Sequence, residues 1–294
     1  MNSSEIKKAF DAYYFDHCCG RPYARDEEWF KFFGGIADRI ENDIHPANVL
    51  DAGCAWGLLV EKLRERDIAA DGIDISPFAI ENVHPDMAQY CIVGSIVEPF
   101  SRDYDLIVCI EVVEHMPKDE AKQAIKNICE HTKDVLFSST PFDYKEATHI
   151  NVQPPEYWAE VFARFSFFRD VDFDATFITP WAVRFRKKYD PLSRLIRDYE
   201  RKLFLLEKEN ADLRSLSLEM RDQISHLDQS IKEMHAELEK KESERQVIGN
   251  QLTDINNSRS WVVLQRFNRL RLLIAPPGSS RESILKRVIG TREE

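Results

Sequence analysis

Nine residues, Val49-Leu50-Asp51-Ala52-Gly53-Cys54-Ala55-Trp56-Gly57, constrain this chain more than any other stretch. They read as a short apolar strand, then a tight turn of small residues, then a helix over 58–66. Glycine is needed where the backbone takes positive φ or lets a ligand come close. A strand that turns directly into a helix also leaves unpaired N–H groups for that ligand. A second strand, Ile68 to Ser76, carries the acid Asp74, 23 residues after Asp51. An acid one β-α-β step beyond such a turn is placed to accept hydrogen bonds from ribose hydroxyls.

The turn has neither the G-x-G-x-x-G of dinucleotide folds nor the Gly-Lys-Ser/Thr ending of phosphate-binding loops. Its D-x-G-x-x-x-G, followed by Gly72-Ile73-Asp74-Ile75-Ser76, resembles motifs I and II of the class I S-adenosylmethionine-dependent methyltransferases. The resemblance covers about residues 10–187 and looks most like bacterial methyltransferases found with polysaccharide and cell-surface glycan assembly. It implies an α/β fold: a Rossmann-like, doubly wound, seven-stranded sheet with an antiparallel closing strand. It implies S-adenosyl-L-methionine as cofactor, held by Asp51, Gly53, Cys54, Ala55, Gly57, Asp74, Ile75 and Glu111. Ala55 departs from the family, which usually has Gly there. Ser95 stands where the family often has an Asp on the adenine amino group; Ser95 would take that bond, with Ile96 packed on the ring.

The remaining pattern agrees with strands alternating with helices, hence a parallel sheet. Strands are expected over 87–94, 104–110 and 134–138, the second nearly continuous in apolar residues, as in a strand buried on both faces. Helices are expected over 118–130, opened by Pro117, and from Pro154-Pro155 to Arg164. Residues 167–173 and 177–186 read as a final hairpin. Residues 5–45 are rich in aromatics. They are either an amphipathic cover on the sheet or a lid in which Tyr13, Tyr14 or Tyr23 closes over the cofactor.

Glu111-Val112-Val113-Glu114-His115 follows the fourth strand, at the carboxyl edge where α/β sheets bind ligands. The i, i+3, i+4 spacing brings both carboxylates and the imidazole to one side of a helical turn. With His149, in Thr148-His149-Ile150-Asn151-Val152, they form a candidate site for Mg²⁺ or Mn²⁺, since oxygen ligands favour those ions. E-x-x-E-H plus a later His resembles the metal site of plant small-RNA 2′-O-methyltransferases; E-x-x-E-H alone also resembles ubiquinone-pathway O-methyltransferases. Many class I relatives carry E-x-x-E-H without metal, so two other readings stand beside this one. His149 is a general base without metal, or it is structural. The expected catalytic residues are His149, Glu114 and His115. A cation chelated by two neighbouring hydroxyls would position and acidify the acceptor, which points to sugars. Tyr144, Tyr157 and Trp158 are candidates to stack on one.

The net charge of −11 is unevenly spread. Residues 257–294 hold eight Lys and Arg against three Asp and Glu, so residues 1–256 carry −16. An acidic body disfavours nucleic acid, whose phosphates are bound by Lys and Arg. Cysteines 18, 19, 54, 91, 109 and 129 show no C-x-x-C spacing and read as reduced thiols of a cytoplasmic protein. His17-Cys18-Cys19 is not taken as a metal site. There is no signal peptide and no 18-residue apolar run, so no membrane span is expected.

Composition changes at Pro191. From Ile196 as position a, the a/d series runs Ile196, Tyr199, Leu203, Leu206, Asn210, Leu213, Ser217, Met220, Ile224, Leu227, Ile231, Met234, Leu238; eleven of the 13 are apolar. This predicts a coiled coil over 189–256, with Asn210 at a and Glu209 facing Arg214 of the partner favouring a parallel dimer. Lys241 and Arg245 at core positions predict loosening near its end. Residues 257–294 form a basic, apolar tail, read either as a helix docking on the coil or as one lying on anionic lipid at the inner face of the plasma membrane. Residues 1–188 are then a methyltransferase domain with a helical lid. The function expected is O-methylation of a sugar hydroxyl, on a sugar or lipid-linked glycan. The rivals are a coiled-coil scaffold of a glycan-assembly complex with a weakly active methyltransferase domain, and an RNA 2′-O-methyltransferase.

Overall fold

The computed structural model describes residues 9–289. Residues 1–8 of the expected N-terminal segment and 290–294 of the expected tail lie outside the described residues. The chain divides into two compact units between Leu206 and Glu207.

In the first unit one sheet is built from β1 (Asn48–Ala52), β2 (Ala69–Asp74), β3 (Cys91–Val93), β4 (Leu106–Ile110), β5 (Asp134–Ser138), β6 (Phe167–Arg169) and β7 (Val183–Lys187). The order is β3-β2-β1-β4-β5-β7-β6. The first five strands are parallel, and β7 runs antiparallel to both β5 and β6. This is the seven-stranded Rossmann-like sheet expected. Between β1 and β4 the winding reverses, which opens a crevice at the carboxyl ends of the strands. In register, Asp51 pairs with Gly72 and Val108, and Asp74 with Val93.

Period-2 side-chain alternation splits the buried strands between two cores. Leu50, Ile107, Val135 and Phe137 meet Ile125 and Ile128 of α5 (Lys118–His131) and Trp158 and Phe162 of α6 (Pro155–Ala163). Val49, Leu106, Val108 and Leu136 meet Ile36 and Ile40 of α2 (Glu27–Asp43) and Leu59 and Leu63 of α3 (Leu58–Arg64). Burial on both faces is why β4 is continuously apolar in sequence. Two shorter helices complete this unit: α1 (Ala12–His17), and α4 (Pro77–Glu81) after β2.

The strands expected over 87–94, 167–173 and 177–186 were too long. Residues 85–90 form a 3₁₀ turn in place of a strand: Pro85 supplies a helical φ and His84 Nδ1 caps Asp86 N–H at 3.3 Å. Pairing begins only at Cys91, opposite Gly72. Residues 170–182 also stay out of the sheet. Asp174 Oδ1 accepts from Thr176 N–H at 2.9 Å, closing a local turn, and Pro180 has no N–H to offer a ladder.

The helix α7 (Leu192–Asn257) runs unbroken for 66 residues, through Lys241, Arg245 and Gly249. Its first residues belong to the first unit, where Leu195 is buried and Arg201 Nη2 pairs with Asp172 at 2.7 Å. From Glu207 to Asn257 every side chain of α7 is exposed. α8 (Arg259–Ile274) is capped by Ser258, whose Oγ accepts from Trp261 N–H at 3.2 Å, and α9 spans Ser280–Ile289. On α8 the exposed apolar residues Trp261, Val262, Val263 and Leu264 are consecutive, so they lie around the helix and not along one face. No helix among the described residues is long and apolar enough to cross a membrane.

Candidate active site

The turn after β1 closes on itself before it offers anything to a ligand. Gly53 takes φ +97°, and a Cβ there would stand 2.3 Å from Val112 Cγ2, so only glycine fits. Ala55 follows at φ +46°, a left-handed conformation that costs a non-glycine residue about 1 kcal/mol. Asp74 holds this turn: its Oδ2 accepts from Ala55 N–H at 2.8 Å, and its Oδ1 from Ser76 N–H at 2.8 Å. Burial raises the Asp74 pKa, and these two amides oppose the rise. Asp51 is buried beside it, and burial with the nearby Asp74 charge lifts its pKa to about 8. Ser76 Oγ donates to Phe10 C=O at 2.6 Å, which ties the N-terminal segment to the end of β2.

The carboxyl ends of β1, β2 and β4, the loop after β3 and the N-terminal aromatics enclose a cavity of about 530 Å³. Asp51 and Asp74 line one part of its wall, and Glu111, His115 and His149 another. Glu111 has φ +52°, and its Oε1 accepts from Trp181 Nε1–H at 2.9 Å. Glu114 and His115 lie on a 3₁₀ turn, Val113–His115. Buried Asn151 clamps the later loop onto this turn, donating its N–H to Glu114 C=O at 2.9 Å and its side-chain amide to Val113 C=O at 3.2 Å. The clamp brings the His149 ring to 4.7 Å, centroid to centroid, from that of His115.

As a result, a carboxylate oxygen of Glu114 and one ring nitrogen each of His115 and His149 lie within 4.8 Å of one another. Neither Glu114 oxygen has a hydrogen-bond partner, and both are buried. Such a group is costly to bury unsatisfied. Burial first, and Glu111 second, raise its pKa well above the usual range. Burial and neighbouring His149 lower His115 to about 4, so its imidazole is neutral at pH 7. His149 Nδ1 donates to Asp143 C=O at 2.8 Å, so Nε2 carries the lone pair of the neutral ring and lies 3.9 Å from Glu146 Oε2. A hydrogen-bond-free buried carboxylate beside two imidazoles is a donor set that fits a divalent cation.

The family described as "Methyltransferase domain" matches residues 23–175, just over half of the chain. The chain belongs to this methyltransferase family. Ubiquinone biosynthesis O-methyltransferase of Neisseria meningitidis serogroup C is 29% identical over 121 residues, 37% of this chain and 51% of that protein. The enzyme of the same description from Rickettsia canadensis is 27% identical over 124 residues, covering 40% and 52%. The chain thus spans about half the length of these curated relatives. Magnesium protoporphyrin IX methyltransferase from Synechocystis PCC 6803, solved with bound SAH, superposes with a TM-score of 0.51 at 15% identity, over 64% of this chain and all of that one. That likeness shows the fold.

Within this methyltransferase domain, the structure places Asp51, Gly53, Cys54, Ala55, Asp74, Ile75, Ser95, Ile96 and Glu111 on the cavity wall. Gly57 does not line it. Gly57 is the left-handed N-cap of α3, where a Cβ would meet Cys91 Sγ at 2.9 Å, so its glycine serves packing. Glu111, expected among the metal ligands, stands outside the Glu114–His115–His149 cluster because its positive φ turns it towards Trp181. Trp158 is core, Tyr157 packs beneath Lys118, and Tyr144 is exposed; none of the three lines the cavity. Of the N-terminal tyrosines, Tyr13 stacks on His17 and is exposed. Tyr23 is buried on the cavity wall, and Tyr14 reaches His115 Nε2 with its hydroxyl at 3.3 Å. Sequence reasoning missed Asn151, Trp181, Glu146 and Thr148. The visible trace of the last two was Glu-x-Thr, a spacing at which a side chain caps the amide two residues on.

Proposed function

We propose that the chain is an S-adenosylmethionine-dependent O-methyltransferase acting on a hydroxyl of a sugar in cell-surface glycan assembly. The observation that carries the O-methylation is that His115 and His149 line the same cavity as Asp51 and Asp74, with Glu114 buried beside them. Asp74, on the same wall as the Gly53–Ala55 turn, is the acceptor assigned to the ribose hydroxyls. S-adenosylmethionine supplies an electrophilic methyl group on a sulfonium. Methyl transfer to an alcohol also needs the hydroxyl proton removed, the oxygen positioned and water excluded. Neutral His115, with His149 beside it, is the group positioned to accept that proton. Phe10, Tyr14 and Phe15 of the N-terminal segment add an apolar side to the cavity wall.

Glu114, His115 and His149 would hold a divalent cation. Bound there it would supply Lewis acidity to the acceptor hydroxyl. Two nitrogen donors weigh against Mg²⁺ and towards Mn²⁺ or another first-row ion. A second reading of the acceptor is an aromatic hydroxyl. The wall formed by Phe10, Tyr14, Tyr23, Trp29 and Phe33 favours a flat ring, and the curated relatives are named for O-methylation in ubiquinone biosynthesis.

The exposed α7 seam pairs two copies in parallel, since Lys202 with Glu207 and Glu209 with Arg214 are then opposite charges at facing g and e positions. The tail, apolar on all sides of α8, serves association with the coil or a membrane surface. The test is methyl transfer from labelled S-adenosylmethionine to nucleotide-sugars, lipid-linked glycans and catechols, with and without EDTA. Transfer to a sugar, lost in EDTA and restored by Mn²⁺, supports the reading; transfer to the catechols alone moves the acceptor to the second. Full activity in EDTA removes the cation and leaves the histidines as bases.

A further inference from the structure

Two side chains behind His115, Thr148 and Glu146, form a directed chain. Glu146 Oε2 accepts the Thr148 backbone N–H at 2.8 Å and also the Thr148 hydroxyl. Thr148 Oγ1 lies 2.8 Å from His115 Nδ1. A hydroxyl has one hydrogen, and a carboxylate only accepts. Since that hydrogen goes to Glu146, Thr148 Oγ1 can only accept from His115. Nδ1 therefore carries the ring proton of the neutral imidazole, and Nε2 carries the lone pair. The Tyr14 hydroxyl, 3.3 Å away, is then a donor to Nε2.

We infer that Glu146, acting through Thr148, is a positioning residue that sets the His115 tautomer and keeps the Nε2 lone pair on the side of Tyr14 and the cavity. Either chemistry proposed for His115, holding a cation or accepting a proton, needs a bare nitrogen on the cavity side. Without Glu146 the Thr148 hydroxyl is free to donate to Nδ1, and the proton then moves to Nε2, where it blocks both. Outer groups that fix a ligating histidine in this way change metal affinity by roughly 10–100-fold. The effect on metal and turnover rests on the function proposed above; the tautomer does not.

The test uses the full-length protein with ¹⁵N-labelled histidine, metal-free, at neutral pH. Long-range ¹H–¹⁵N spectra distinguish the tautomers, and His115→Gln assigns the His115 signals by their loss. The expected result is Nδ1–H in the wild type and in Thr148→Ser, which keeps the hydroxyl. Glu146→Ala and Thr148→Val are expected to shift His115 wholly or partly to Nε2–H. Nε2–H in the wild type overturns the inference, as does unchanged Nδ1–H in both Glu146→Ala and Thr148→Val. If those two variants do not fold, the wild-type and Thr148→Ser spectra still decide. As a second readout, Mn²⁺ titration followed by electron paramagnetic resonance is expected to show about 10-fold weaker binding in Thr148→Val and recovery in Thr148→Ser. Binding of S-adenosylhomocysteine should stay within 2-fold of wild type, about the scatter of such affinities. A wild type that binds no Mn²⁺ yet shows Nδ1–H refutes the cation reading and supports the relay.

Discussion

Leu106 and Ile107 of β4 are completely buried, whereas Leu213, Ile224 and Leu227 of α7 stand 58%, 56% and 62% exposed. The residue types are the same and their fates opposite. In the first unit the sheet has two faces, each covered by helices from the same chain, so every apolar side chain of β4 finds a neighbour within the fold. In the second unit one helix turns a single seam outward, and a lone helix cannot bury its own stripe. The contrast separates two kinds of information. The first unit gathers a cavity and a titratable cluster from distant residues. The second repeats one seven-residue pattern whose apolar positions stay exposed along the helix.

The largest effects should fall on the cluster. His149→Ala and Glu114→Ala are each expected to lower kcat by at least about 100-fold, the scale of lost proton transfer. S-adenosylmethionine affinity by calorimetry should hardly change, because the loss acts on the acceptor. Glu114→Ala should leave the melting temperature unchanged or higher, since it removes a buried carboxylate with no partner. A mutant with full turnover would take the cluster out of the mechanism.

The complementary change is Ile224→Asp with Leu227→Asp. Each puts a charge into the seam, at a cost of roughly 2–3 kcal/mol of association. Light scattering should then report one chain where the wild type gives two, while methyl transfer per chain persists. A wild type that scatters as a monomer at tens of micromolar would end the pairing. Next in size, Asp74→Ala should weaken S-adenosylmethionine by about 1–3 kcal/mol, through lost hydrogen bonds and a loosened Ala55 turn. Unchanged affinity in a folded variant would reassign the ribose contact.

Asp51 makes the first unit pH-sensitive. Its folded pKa of about 8 is above the unfolded value near 4, so the folded state holds the proton more tightly. The contribution is fully present below about pH 4 and is lost as pH rises through 8. Stability of the cofactor-free protein should fall across pH 5–8 by up to about 1 kcal/mol per unit, and Asp51→Asn should flatten that slope in denaturant titrations. The smallest effect belongs to Ala55→Gly. Relief of φ +46° should stabilise by about 0.5–1 kcal/mol, measured by thermal melting; a decrease would mean that the Ala55 methyl contributes packing.

Much of the sheet was legible because its cues are local. The Val49–Gly57 turn, the acid at 74, the apolar β4 and the prolines opening α5 and α6 each declare their element within a few residues. The expectation failed at 87–90, in the turn that His84 caps, and at 170–173 and 177–182, on either side of the turn that Asp174 closes. The cluster was half legible. Glu114 and His115 are adjacent and follow a strand, but Glu111 shares their spacing and still turns to Trp181, 70 residues on.

By itself the sequence determined the parallel α/β sheet, the small-residue turn facing Asp74, and the heptad seam of α7, because a period of two, a period of seven and a glycine at positive φ are properties of neighbouring residues. Only the tertiary structure decided that Asn151 clamps His149 against His115, that Tyr14 reaches Nε2 of His115, and that Glu146 and Thr148 orient the imidazole. Those contacts join segments 30 to 100 residues apart. They depend on how the loops between strands close, and loop closure is set by the packing of the whole sheet.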